Sequence, residues 1–167
     1  EFKLTKLGNG NWEIILPEAA IKHEQKFRLL IRWKNGEGER IPAWIKRVVQ
    51  NPETLAFDAQ VWAPPKNYEW KIPDFKRGPE DLLVYEAHVG MATEEYKVGT
   101  FNEFTSNILP RIKKAGYNTI QLMAVMEHPY YGSFGYHVSS FFAVSSRFGT
   151  PEDLKRLIDE AHSMGIS

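Results

Sequence analysis

At 167 residues, with 43% hydrophobic, 13% aromatic and 25% charged residues, the chain has a globular composition and is long enough to bury a core or to hold two small domains. Its 21 basic and 21 acidic residues cancel, which argues against nucleic acid and against a membrane surface as partners. Without cysteine there is neither a disulfide framework nor a thiolate metal site, and no apolar run nears the roughly 18 residues of a membrane span, so a soluble, cytoplasmic protein is expected.

Residues Glu1 to about Pro73 carry β signals in "NWEIIL" (11–16), "KFRLLIRW" (26–33), "RVVQ" (47–50) and "TLAFDAQVW" (54–62). Between them lie "GNGN", "KNGEGE" and "NPE", which have turn compositions. The pattern predicts an antiparallel β-sandwich. Four or five strands fall short of the usual complement of about seven, so one or more leading strands are expected to be missing. The sequence starts with Glu1 rather than Met and stops at Ser167 just after a helix, so both ends are expected to be cut. Prolines and charges in "WAPPKNYEWKIPDFKRGPED" (62–81) then mark a linker.

After it the grammar changes. "LLVYEAHV" (82–89) and "TIQLMAV" (119–125) are largely apolar runs that suit strands buried on both faces, and each precedes a helix. The first helix begins at Thr100, with Glu103 completing a capping box and Phe101, Phe104, Ile108 and Ile112 on one face; Pro110 is expected to kink or divide it. The second has Thr150 at its N-cap, Pro151 at N1, Glu152 and Asp153 in the first turn, Leu154, Leu157, Ile158 and Ala161 at core spacing and Gly165 as a stop. This β-α-β-α order implies parallel strands with right-handed crossovers. Two such units cannot close a sheet, since a barrel needs eight and about 250 residues, so the chain is expected to stop within a domain. No P-loop or dinucleotide fingerprint is present: Gly99 and Gly116 lack the surrounding glycines.

Chemistry in a βα barrel sits at the C-terminal ends of the strands. Those positions are Glu86 and His88, Glu127 and His128, and the 24-residue loop from Met126 to Gly149. Ordinary βα connections need about 2 to 6 residues. Tyr130, Tyr131, Phe134, Tyr136, Phe141 and Phe142 would give the loop rigid amphipathic faces suited to sugar rings. Packing is the stronger reading for Phe141 and Phe142. Glu86 and Glu127 could be paired carboxylates for glycoside chemistry, or could equally pair with Arg111, Lys113 or Arg147. The two histidines and two glutamates lack metal-ligand spacing. Trp12, Trp33, Trp44 and Trp62 could form a sugar platform, with core and boundary packing favoured for most of them.

The strings "VYEAHVG" (84–90) and "LPRIKKAGYNTIQLMAVMEHPYYGSFGYHVSSFFAVSSRFGTPEDLKRLIDEAHSMGI" (109–166) resemble the glycogen and starch branching enzymes of the α-amylase family. "IPAWIKRVV" (41–49) and "YEWK" (68–71) are similar to later strands of the carbohydrate-binding β-sandwich that precedes the barrel in those enzymes. The resemblance implies a multi-domain chain: a partial antiparallel β-sandwich over residues 1–75, a linker over 76–81, and the first two βα units of a (β/α)8 TIM barrel over 82–167. It implies transglycosylation, in which an α-1,4-glucan is cut with retention through a covalent glycosyl-enzyme and moved to a 6-hydroxyl, with no metal or organic cofactor. The nucleophilic Asp and acid/base Glu belong to later strands, so no catalytic residue is assigned here and the piece alone is expected to be inactive. By the same resemblance Tyr136 stacks under the sugar at the cleavage subsite, while Phe134, Tyr131, Glu127 and His128 are candidates for lining the cleft. Trp33, Lys34 and Arg28 are candidates for glucan binding by the sandwich. Ala124 stands where many family members carry proline. Alternatives are a debranching hydrolase of the same family and a non-catalytic glucan-binding module.

Overall fold

The computed structural model describes residues 2–18 and 20–167. The first half is antiparallel. β1 (Thr5–Lys6) pairs with β2 (Trp12–Glu13) across a turn closed by Gly10 at φ +87°. β3 (Lys26–Phe27) and β6 (Val48–Gln50) flank β7 (Phe57–Gln60). β4 (Leu29–Trp33) and β5 (Gly36–Arg40) form a hairpin whose turn is Lys34 and Asn35.

Two features depart from the sequence expectation. "KFRLLIRW" is broken at Arg28 into two strands belonging to different sheets, and "GEGER", which reads as part of a turn, is a strand. The second departure has a physical cause. The Trp33 indole lies across the partner strand so closely that a Cβ on Gly36 would stand 3.3 Å from the ring and one on Gly38 3.4 Å from it. Glycine inside a strand here marks the close approach of a ring.

The second half begins with β8 (Val84–His88), parallel to β9 (Thr119–Met123) in the register Val84 with Thr119 through His88 with Met123. Burial on both faces does not follow. Leu82, Leu83, Val84 and Tyr85 are exposed, because among the described residues these two strands form a sheet of their own, in which Ala87 and His88 are buried and Ile120 and Leu122 half-buried against the core.

The connection runs through α1 (Phe101–Glu103), one π-helical turn (Phe104–Ile108) and α2 (Leu109–Lys114). Thr100 and Glu103 close the expected capping box. Pro110 has no N–H and its ring would strike the carbonyl four residues back. The wider turn just before it, with Leu109 N–H bonded to Phe104 O, accommodates the proline without ending the helix. Its extra residue turns Leu109 into the core in place of Ile108, so the buried stripe is Phe101, Phe104, Leu109 and Ile112.

α3 (Pro151–Ser163) opens with a capping box between Thr150 and Asp153. It closes with Gly165 at φ +72°, Ile166 N–H on Ala161 O and Gly165 N–H on His162 O, which is a Schellman ending. Leu157, Ala161 and Ile166 join Phe101, Phe104 and Phe148 in the core between the helices and the parallel strands. Burying each such phenylalanine contributes about 2 to 3 kcal/mol.

The segment from Trp62 to Phe75, which composition marks as linker, is a strap packed on α3. The buried Asp159 carboxylate accepts the backbone N–H groups of Lys71 and Ile72 and the hydroxyl of Tyr68, at 3.0 to 3.1 Å. Trp62 Nε1 donates to Glu152, Lys71 pairs with Glu160, and Phe75 stacks on His162 with ring centroids 4.0 Å apart.

Candidate functional site

The C-terminal ends of β8 and β9 deliver the chain to the aromatic segment 126–149, and this segment is more than a loop. β10 (Met126–Glu127) pairs antiparallel with β11 (Ser140–Val144), with an irregularity between Met126 and Glu127. A 3-10 turn (Tyr131–Ser133) carries the chain to the tip, where Phe134 at φ +51° and Gly135 at φ +83° reverse it. Short bonds hold the tip: Ser133 Oγ to Tyr130 O at 2.7 Å, Phe134 N to Tyr131 O and Tyr136 N to Ser133 O at 3.0 Å.

Beneath the tip, Ala124 leaves β9 at φ +57°. Proline is confined near −65°. The residue that many α-amylase family members carry at this position could not adopt the conformation found here.

The rings divide by depth. Tyr136 is 79% exposed and Phe134 44%, so both offer faces to solvent. Tyr131 is half-buried, and burial raises its hydroxyl pKa. Its ring meets His88 edge-on with centroids 5.9 Å apart; Phe134 and Phe148 approach the same imidazole at 6.0 and 5.6 Å. His88 is therefore a floor beneath the aromatic tip. Desolvation lowers its pKa, which keeps the imidazole neutral.

Glu127 and His128 are both 0% exposed and face no open cleft among the described residues. The segment folds back over them as a pair of strands. Glu127 instead ties that pair together. Its main-chain oxygen accepts Ser139 N at 2.9 Å and Ser139 Oγ at 3.2 Å, and its Oε2 accepts Ser146 N at 2.6 Å. Burial raises its carboxyl pKa, opposed by the Ser146 bonds and by the charges of His128 and Arg147. His128 Nδ1 lies 2.9 Å from Met126 O. Glu86 is exposed and takes the Gln121 amide at 3.3 Å.

Phe141 and Phe142 are exposed rather than packed in a core. Phe142 stacks on Trp44 from the first half, 4.2 Å between centroids and 22° between planes. Sequence reading missed this pair, for nothing local in "PAW" or "SFF" announces a contact about a hundred residues apart. Trp12, Trp33 and Trp44 are exposed, and of the four Trp44 and Trp62 meet the second half, on Phe142 and Glu152.

The three residues suggested on the first half do not converge. Arg28 is held between Asp58 (Nε to Oδ1, 2.7 Å) and Glu39 (Nη1 to Oε2, 2.8 Å), which raises its pKa through those hydrogen bonds. Trp33 and Lys34 lie at the hairpin turn, five or six residues away and thus roughly 16 Å along an extended strand. At the hairpin turn Trp33, 51% exposed, and Lys34 stand side by side.

A sequence profile described as the alpha amylase catalytic domain matches residues 43–167. The chain belongs to the α-amylase family. Among curated family members, it is 55% identical over 163 residues to a 1,4-alpha-glucan-branching enzyme of Rhizophagus irregularis, covering 94% of this chain and 24% of that one. A 1,4-alpha-glucan-branching enzyme of Aspergillus oryzae is 54% identical over 171 residues (98% and 25%), and one of Equus caballus 46% over 168 (97% and 24%). The chain thus spans about a quarter of the length of the curated relatives it matches. Among solved structures, a putative alpha amylase of Salmonella typhimurium superposes with a TM-score of 0.78 at 24% identity, covering 98% of this chain and 26% of that one. A type I pullulanase of Bacillus subtilis, crystallised with maltose, gives 0.78 at 20% identity (99% and 27%). These two share the fold of this chain, which is rich in strands and antiparallel sheets. No helix among the described residues is long and apolar enough to cross a membrane.

Proposed function

We propose that this chain belongs to an α-glucan branching enzyme. Residues 1–75 are part of a carbohydrate-binding β-sandwich, 76–81 a linker, and 82–167 the first two βα units of a (β/α)8 barrel. The reaction breaks the C1–O4 bond of an α-1,4-glucan as a covalent glycosyl-enzyme forms. The 6-hydroxyl of an acceptor glucan then displaces the enzyme carboxylate with net retention, leaving an α-1,6 branch. The residues here position substrate rather than cleave it.

The observation that carries this reading is the aromatic tip. Tyr136 and Phe134 present open ring faces at the C-terminal ends of the parallel strands, on a segment held by Gly135, Ser133 and the buried Glu127. An aromatic face under a sugar favours the positive charge that develops at C1 in an oxocarbenium-like transition state. The named relatives at 46 to 55% identity support branching over hydrolysis. The balanced charge of this chain supports a neutral polysaccharide partner rather than nucleic acid or a membrane, and the reading places the protein in the cytoplasm.

The test is incubation of the full-length protein with amylose, following iodine absorbance and reducing ends together. Loss of iodine colour without a matching rise in reducing ends establishes transfer. A matching rise identifies a debranching or other hydrolase, and no change in either leaves only a glucan-binding role to examine.

A further inference from the structure

Arg47, just before β6, belongs to the antiparallel half of the chain, yet its side chain is only 8% exposed. Its Nη1 donates to the carbonyl of Gly149, 102 residues later and the last residue of the aromatic segment before the α3 cap. The guanidinium carbon stands 5.5 Å from the centre of the Trp62 ring, and Trp62 donates to Glu152 in the first turn of α3. The charges of Glu127, Asp153, Glu24 and Glu152 favour its ionised form against the effect of burial. A guanidinium is taken out of water only where fixed partners replace its hydration.

The carbonyl it holds closes the segment. Phe101 N donates to Phe148 O at 2.8 Å, so two successive carbonyls, of Phe148 and of Gly149, are held by α1 and by Arg47 respectively. Gly149 sits at φ +140°, and a Cβ there would stand 2.8 Å from Asp153 Oδ2. The other end of the segment is held by Glu127, through Ser139 and Ser146.

We propose that Arg47 is a positioning residue for the aromatic tip: by holding the Gly149 carbonyl from its place over the Trp62 ring, it fixes the root of segment 126–149 and so the placement of Phe134 and Tyr136 toward a glucan. The consequence for turnover rests on the branching reading above; the anchoring of the segment does not. Lysine keeps the charge and one donor but not the planar fork or the ring contact with Trp62, so it substitutes only in part.

The experiment uses the full-length protein with Arg47→Met and Arg47→Lys, measuring brief native-state chymotrypsin cleavage and kcat and KM on amylose. Cleavage within 126–149 is expected to rise about tenfold in Arg47→Met relative to cleavage at the exposed Tyr96 in the same molecule, and kcat to fall about tenfold with KM changed less than threefold. Arg47→Lys is expected to lie between the two. Unchanged cleavage of the segment in both variants, or cleavage rising in step at Tyr96, overturns the proposal, since either means no specific anchor was lost. If Arg47→Met does not fold, the intermediate pattern in Arg47→Lys decides the matter. The expected cleavage pattern in a protein that does not branch amylose counts against the glucan reading and supports the anchor.

Discussion

Gly135 packs so closely on Ala124 that a Cβ added to it would lie 2.4 Å from the Ala124 Cα. Both residues are left-handed, at φ +83° and +57°. The contact joins the exit of β9 to the residue just before Tyr136, and only a glycine permits it. Gly135→Ala is expected to cost about 3 kcal/mol, from a left-handed alanine and an overpacked contact together. Urea unfolding measures this, and a loss below about 1 kcal/mol would show that the β9 exit yields freely.

Tyr136→Ala in the full-length protein is expected to lower kcat on amylose about a hundredfold with the circular dichroism spectrum unchanged. Tyr136→Phe keeps the ring face and is expected to lose less. Wild-type turnover by Tyr136→Ala would remove this ring from the substrate site.

Asp159 sets an acid limit on the strap. Burial alone would push its carboxyl up, but the N–H groups of Lys71 and Ile72 and the Tyr68 hydroxyl outweigh that and hold it below the usual carboxylate range. A depressed carboxyl stabilises the fold above the unfolded value of about 4 and loses that contribution as pH falls through the lower folded value. Protease protection of residues 62–75 is therefore expected to persist at pH 5 and to fade below about pH 4. Asp159→Asn should weaken protection at neutral pH and flatten this profile, and an unaltered profile would assign the acid sensitivity elsewhere.

Glu127 acts with the opposite sign. Burial raises its folded carboxyl above the unfolded value, so its contribution is present at pH below about 4 and declines as pH rises through the raised value. Glu127→Gln is expected to remove the part of the stability decline seen between about pH 4 and the raised folded value. Urea midpoints across this range give the answer, and parallel curves for the two proteins would mean that Glu127 does not titrate there.

On the first half, Trp33→Ala is expected to weaken glycogen binding several-fold in affinity electrophoresis, and Lys34→Ala to weaken it less. Arg28→Gln should leave it unchanged, because Arg28 is already committed to Glu39 and Asp58. Equal losses from Trp33 and Arg28 substitutions would contradict that separation.

Features legible in the sequence are those set by neighbours in the chain. Thr100 with Glu103, Thr150 with Pro151, and Gly165 mark helix ends because the groups they satisfy lie within a turn of them. The apolar runs at 82–89 and 119–125 locate the parallel strands, though not their exposed faces. What escaped depends on distant partners. Gly36 and Gly38 read as turn until the Trp33 ring is seen above them, and nothing near Asp159 in the chain announces the strap that its carboxylate holds. The aromatic density of 130–142 pointed to the candidate site, but which rings stay open depends on the pairing of β10 with β11.

The bond from Lys71 to Asp159 joins positions 88 apart, and it sets an order of events during synthesis. At about 5 to 20 residues per second, the strap waits roughly 4 to 18 s after it is made before its carboxylate partner is translated. Through that interval Trp62, Tyr68 and Phe75 have no α3 to rest on, so the nascent chain presents three aromatic side chains to whatever meets it outside the ribosome.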